Sequence, residues 1–173
     1  MKDPAQLEAK KRKLLSQIEG WSPARLRYRP SPEAWSAAEV FDHLVKTEEE
    51  ILAAAKQGLT APHRIGIRDR LGTLFIQKVF QTDRKVKVPA SAPQVLPDQS
   101  ASLESVLGRW QSTRSDFAEF QDRLSSDQAR SGLFRHPVCG WMGVSEIRAF
   151  FFVHMVHHGF QISRLSSSSQ VLE

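Results

Sequence analysis

The chain has 173 residues, enough for one well-buried core and too few for two ordinary domains, so one domain spanning 1–173 is expected. An apolar share of 40% with 25% charged residues is a globular composition, and no apolar run reaches the length that crosses a bilayer. The net charge of +5 raises the question of a nucleic-acid partner, and the lone cysteine, Cys139, excludes an intramolecular disulfide.

The basic residues gather at Lys10-Lys11-Arg12-Lys13 and at Arg25, Arg27 and Arg29. Four consecutive residues spread around a helix instead of forming a stripe, and no nucleic-acid motif or platform of alternating aromatic and basic residues accompanies them. A solvated basic surface with no nucleic-acid partner is therefore expected. Met1-Lys2-Asp3-Pro4 lacks an apolar signal core, and a single thiol suits a reducing compartment, so the expected location is cytoplasmic with no membrane partner.

Taken in chain order, the elements are nearly all helical. Asp3 as cap and Pro4 at the first helical position open a helix to about Glu19. A second helix begins at Ser36, where Ser36 and Glu39 have capping-box spacing and Trp35 and Val40 occupy the staple positions, and it runs to about Gln57. Arg64 to about Phe80 predicts a further helical stretch, weakened by Gly66 and Gly72. Pro89, Pro93 and Pro97 then make 82–100 a loop. A helix from about Ala101 to Leu124 follows, and the last runs from near Gly143 to about Leu165, leaving 166–173 as a flexible tail. The burial solution for these pieces is an all-α four-helix bundle with an extra helical segment and a long proline-containing loop.

Within the last helix, His154 and His158 stand four positions apart, one above the other on a single face. At about 100° per residue they share an arc with Ile147, Phe151, Gln161, Ile162 and Leu165, which must face the core. His157 lies about 100° away on the same wheel and reads as a flank or surface residue. Two imidazoles on a rigid backbone offer a divalent metal two ligands with little ordering cost; alone, the pair equally suits two hydrogen-bonded core histidines. His43 sits at the edge of the apolar arc of the second long helix, next to Thr47, and can point into the same interior.

The runs Tyr28-Arg29-Pro30, Glu33-Ala34-Trp35-Ser36, Glu39 to Leu44, His136 to Met142 and His154 to Gln161 together resemble, in order and spacing, the DinB-like superfamily of metal-binding four-helix bundles. The resemblance implies that one histidine on the second helix and two on the last bind a divalent metal, with a glutamine three residues after the last histidine. Those positions are His43, His154, His158 and Gln161. It further implies zinc or nickel as the metal, a hydrolase or a transferase of low-molecular-weight thiols as the activity, and often a homodimer.

Four other residues bear on such a site. His136, ahead of the Gly140–Gly143 turn, or Trp141, within it, can line the mouth of the site; alternatively His136 caps a helix end or pins the loop. Glu48, charged within an apolar arc, either orients a ligand histidine or pairs with Arg109 or Arg114 across the bundle, while Asp42 and Glu49 read as solvated. Cys139, among apolar and turn-forming neighbours, reads as a packing residue rather than a nucleophile. The open metal positions are expected to face a pocket walled by apolar residues of the Arg64 to Phe80 segment, such as Leu71, Phe75 or Val79, and suited to a small-molecule substrate such as a thiol. Phe150, Val153 and Phe160 lie away from the histidine face and need cover from another segment or another chain, and a homodimer is expected. The rival reading is a non-catalytic binding or stress-associated bundle whose site is weak or vestigial.

Overall fold

Local chemistry starts each long helix of the computed structural model, which describes residues 3–168. Helix α1, Pro4–Leu15, opens on Asp3, whose carboxylate accepts from the Gln6 backbone N–H at 2.7 Å. A 3-10 turn, Ser16–Ile18, tightens its end. A short helix, α2, Pro23–Arg27, capped by Ser22, follows. Helix α3, Ala37–Gly58, starts on the reciprocal cap: Ser36 Oγ accepts from the Glu39 N–H at 3.3 Å and Glu39 accepts from the Ser36 N–H at 2.9 Å. Arg29 donates to the same Glu39 carboxylate from Nε at 2.7 Å, which ties the preceding loop to the start of α3.

Helix α4, Ile67–Phe80, is followed by the proline-bearing strap, which holds a 3-10 turn at Pro93–Val95. Helices α5, Leu103–Asp122, and α6, Ser126–Arg130, lead to a hairpin of β1, Phe134–His136, and β2, Gly140–Met142. The strands pair antiparallel, with Phe134 opposite Met142 and His136 opposite Gly140. Helix α7, Val144–Ser168, completes the described chain. Ser166–Ser168, expected in the tail, form its last turn, and the remainder of that tail lies outside the described residues.

Helix α3 packs against α5 and α7, α1 packs against α7, and the Lys11 ammonium of α1 sits 5.0 Å above the Trp110 ring of α5. The four long helices so form a bundle whose core holds Leu14, Phe41, Leu44, Trp110, Phe151 and Ile162. Burial of each such side chain contributes about 1.5–3 kcal/mol. The expected all-α bundle is what forms.

Helix α4 lies outside this bundle on α7, and the hairpin lies on α4. Asp69 joins them: its carboxylate accepts from the Gly66 N–H at 2.8 Å and from the Trp141 N–H at 2.9 Å. Gly140 has φ +80° beside that carboxylate, so a side chain there would be strained and would strike it. Gly72, which looks like a weakness in the helix, is where the Cys139 backbone comes close; a Cβ would stand 2.6 Å from the Cys139 carbonyl oxygen.

Several expectations are corrected by the packing. Helix α4 turns Thr73, Ile76 and Phe80 inward and leaves Ile67, Leu71, Leu74 and Phe75 exposed. Phe150 and Val153 are buried within the chain, with the Phe80 ring 5.7 Å from Phe150, so another segment covers these two, while Phe160 is half-buried. Asp42 is fully buried: Arg109 donates to it at 2.8 Å, Lys46 lies at 3.2 Å, and the Asp98 N–H donates at 2.7 Å. Glu49 is half-buried and also holds Arg109.

Candidate metal centre

Two helices and the strap build the site. Helix α3 brings His43 and α7 brings His154 and His158, one turn apart, all three buried. Their Nε2 atoms converge: His154 Nε2 lies 3.3 Å from that of His43 and 3.0 Å from that of His158. The far sides of two rings are fixed. His43 Nδ1 donates to the Val95 carbonyl oxygen at 2.7 Å and His158 Nδ1 donates to Gln161 Oε1 at 3.0 Å. With their protons on Nδ1, both rings present bare Nε2 lone pairs to the centre.

This donor set fits a cation. A single proton on His154 Nε2 cannot serve two neighbouring lone pairs, and His154 Nδ1 is buried without a partner. Two ligands each about 2.0–2.1 Å from one ion stand roughly 3 Å apart, the separation His154 Nε2 has from each of the other two, and the three donor atoms all lie within 4.8 Å of one another. Among the described residues these three histidines are the cluster able to hold a metal, and no carboxylate belongs to it. Burial pushes His43 down to about 4 and holds His154 and His158 well below the ordinary histidine range, so the rings are neutral at pH 7, the form that ligates.

Aromatic rings enclose the cluster. Trp35 packs 4.8 Å from His43 and 6.3 Å from His158, while Phe80 and Phe150 stack on His154 at 5.5 Å and 5.2 Å. A cavity of about 920 Å³ touches all three histidines and is lined in part by the strap and the hairpin. Its walls include Ile76, Phe80 and Phe150, not Leu71, Phe75 or Val79 as expected: the opposite face of α4 points inward.

Of the other candidates, Gln161 and His136 line this cavity. Trp141 does not: its ring stacks on His63 at 4.5 Å, on the far side of the hairpin, because its own strand register turns it there. Glu48 does not orient a ligand histidine. It accepts from Arg114 at 2.5 and 2.6 Å and from Trp110 Nε1 at 3.0 Å, facing α5. His157, expected on a flank or at the surface, is buried, stacks on Phe80 at 4.8 Å and lines the cavity, since α4 covers that side of α7. Cys139 is buried and burial pushes its thiol up to about 12, which makes it inert packing.

Sequence reasoning missed three contributors. Trp35 has a second role beyond the helix cap, and its position two turns before His43 was the available signal. Phe80 closes a helix judged by its other face. Val95 acts through its backbone carbonyl, which no residue type announces.

Fold and site together define a helical bundle with a buried three-histidine cluster at the floor of a cavity. A family model of the DinB superfamily matches residues 6–162, and the chain belongs to that superfamily. No functionally curated protein matches it. No helix among the described residues is long and apolar enough to cross a membrane.

Proposed function

We propose that this protein is a divalent-metal-dependent enzyme, a hydrolase or a transferase of low-molecular-weight thiols, with zinc or nickel held by His43, His154 and His158. The observation that carries this reading is the convergence of three buried neutral nitrogens on the floor of an open cavity. A divalent metal in such a site supplies Lewis acidity, lowering the pKa of water or of a thiol so that it is nucleophilic near pH 7.

The chain's own residues do the remaining work. The Val95 carbonyl and Gln161 fix two rings in the ligating tautomer. Trp35, Phe80 and Phe150 keep the imidazoles dry, which raises the strength of every charge interaction at the centre. The cavity is of the size that takes a small molecule with an apolar body. A closed interior would favour the non-catalytic bundle; a cavity reaching all three ligands favours the enzyme. A cytoplasmic setting, where small thiols are abundant, suits either reaction.

Purification without a histidine tag followed by elemental analysis tests the proposal. About one zinc or nickel per chain is expected, and cobalt in its place should change its visible spectrum when 2-phenylethanethiol is added. A stable protein that takes up none of these metals would overturn the proposal.

A further inference from the structure

His136 stands apart from the metal ligands yet borders the same cavity. The Phe150 ring is 5.0 Å from His136 on one side and 5.2 Å from His154 on the other, so a single phenyl group separates His136 from a ligand. Its Nδ1 receives two backbone N–H groups, from Val138 at 3.1 Å and Cys139 at 3.3 Å. Both partners are donors, so Nδ1 must be the acceptor, and in the neutral ring the proton sits on Nε2. Burial pushes the ring down to about 4, which keeps it neutral at pH 7.

The Nε2 atom has no partner among the described residues, yet it is not shut away from solvent. The ring that carries it lines the cavity. The ring cannot easily turn away. Pro137 stiffens the chain beside it, and the hairpin that carries it is pinned to α4 through the Asp69 carboxylate. The result is an uncharged N–H on a ring that borders a mainly apolar cavity floored by the three histidines, where it can exchange water for a substrate acceptor and discriminate against analogues that lack one.

We propose that His136 is the specificity-determining hydrogen-bond donor of this site, its Nε2–H binding a carbonyl oxygen of a substrate that also has an apolar body. The inference rests on the metal-enzyme reading and names its substrate class: esters, amides, ketones or carbonyl-conjugated electrophiles, and not electrophiles without an acceptor oxygen such as alkyl halides.

The test uses imidazole 15N–1H NMR on the protein with and without zinc, titrated with 4-phenylbutan-2-one and with butylbenzene, which lacks the oxygen. In both forms His136 should show a neutral ring protonated on Nε2, and the ketone alone should shift that N–H. In His136→Phe the ratio of ketone to hydrocarbon affinity should fall about 2- to 10-fold, the range of one hydrogen bond. His136→Gln, which keeps an N–H, should recover part of it. A proton on Nδ1, a charged ring at pH 7, or an affinity ratio unchanged by His136→Phe would overturn the proposal. The wild-type spectrum decides the tautomer even if the variants fold poorly. Failure of the metal reading shows separately, as absence of metal uptake, while the ketone titration of the zinc-free protein still reads the His136 donor.

Discussion

Helix α3 presents two buried polar faces with opposite electrostatics. Toward α5, Asp42, Glu48 and Glu49 each meet an arginine, and the Glu48 carboxylate also takes the Trp110 N–H. Toward α7, His43 meets the Nε2 atoms of His154 and His158 and no carboxylate. Both faces are taken out of water, so both had to solve the cost of buried polar groups. The α5 face solves it internally by pairing, whereas the α7 face leaves His154 Nδ1 without a partner and gathers three imidazoles that could hold a cation. Burial alone therefore does not distinguish a self-paired polar cluster from one left short of partners; the inventory of donors and acceptors does.

The largest expected effect breaks the paired face. Glu48→Ala would strand the Arg114 guanidinium, 8% exposed, and the Trp110 N–H in the interior. A loss of about 3–5 kcal/mol is expected in urea unfolding, with metal content per folded chain unchanged. Loss of metal from a folded Glu48→Ala protein would show that the two faces are not separate.

The next effect concerns the incomplete face. If His158 is a ligand, saturating zinc should stabilise the wild type by about 3–4 kcal/mol at 100 to 1,000 times its dissociation constant, and His158→Ala should abolish that gain. His157→Ala, which removes a ring stacked on Phe80, should lower stability yet keep the zinc-dependent gain. Calorimetric melting with and without zinc reads both variants.

A pH series on the metal-free protein sharpens the contrast further. The unfolded rings of His43 and His136 titrate near 6.5, whereas the folded ones stay neutral down to about 4. Between those values the unfolded chain binds more protons, so stability falls as pH drops from 6.5 toward 4, and above 6.5 these groups leave it unchanged. Denaturation midpoints from pH 8 to 4 should show that slope, and His43→Gln should flatten it. A slope confined to pH above 6.5 would contradict the burial assigned to these rings.

The smallest effect is that of Gln161→Leu, which removes the acceptor that fixes the His158 tautomer while leaving every ligand in place. Zinc affinity should fall about 10-fold, the lower end for an orienting partner, with little change in metal-free stability. Competition with a chromophoric chelator measures it; an unchanged affinity would mean that the Gln161 contact does not orient the ring.

Some of this was legible in the amino-acid sequence because it depends on short range. Asp3 with Pro4, and Ser36 with Glu39, start helices by satisfying backbone N–H groups within three residues, and the four-residue step between His154 and His158 sets their shared face whatever surrounds them. The pairing of His43 with that face followed from its place at the edge of an apolar arc and from the family pattern. Other features depended on which neighbour arrived. Helix α4 has apolar residues on both sides, Leu71 and Phe75 against Ile76 and Phe80, so periodicity cannot choose its inner face; docking on α7 chose it and thereby buried His157. Asp42 looks like any helix-surface carboxylate until Arg109 from α5 and the Asp98 N–H from the strap close over it. The Val95 carbonyl that orients His43 and the hairpin that aims His136 come from segments with little helical patterning, 52 and 93 positions from His43 in the chain. Local hydrogen bonding and helical geometry are encoded residue by residue, and these the sequence determined by itself. The partner that satisfies a buried polar atom is set only when distant segments pack, and that the tertiary structure decided.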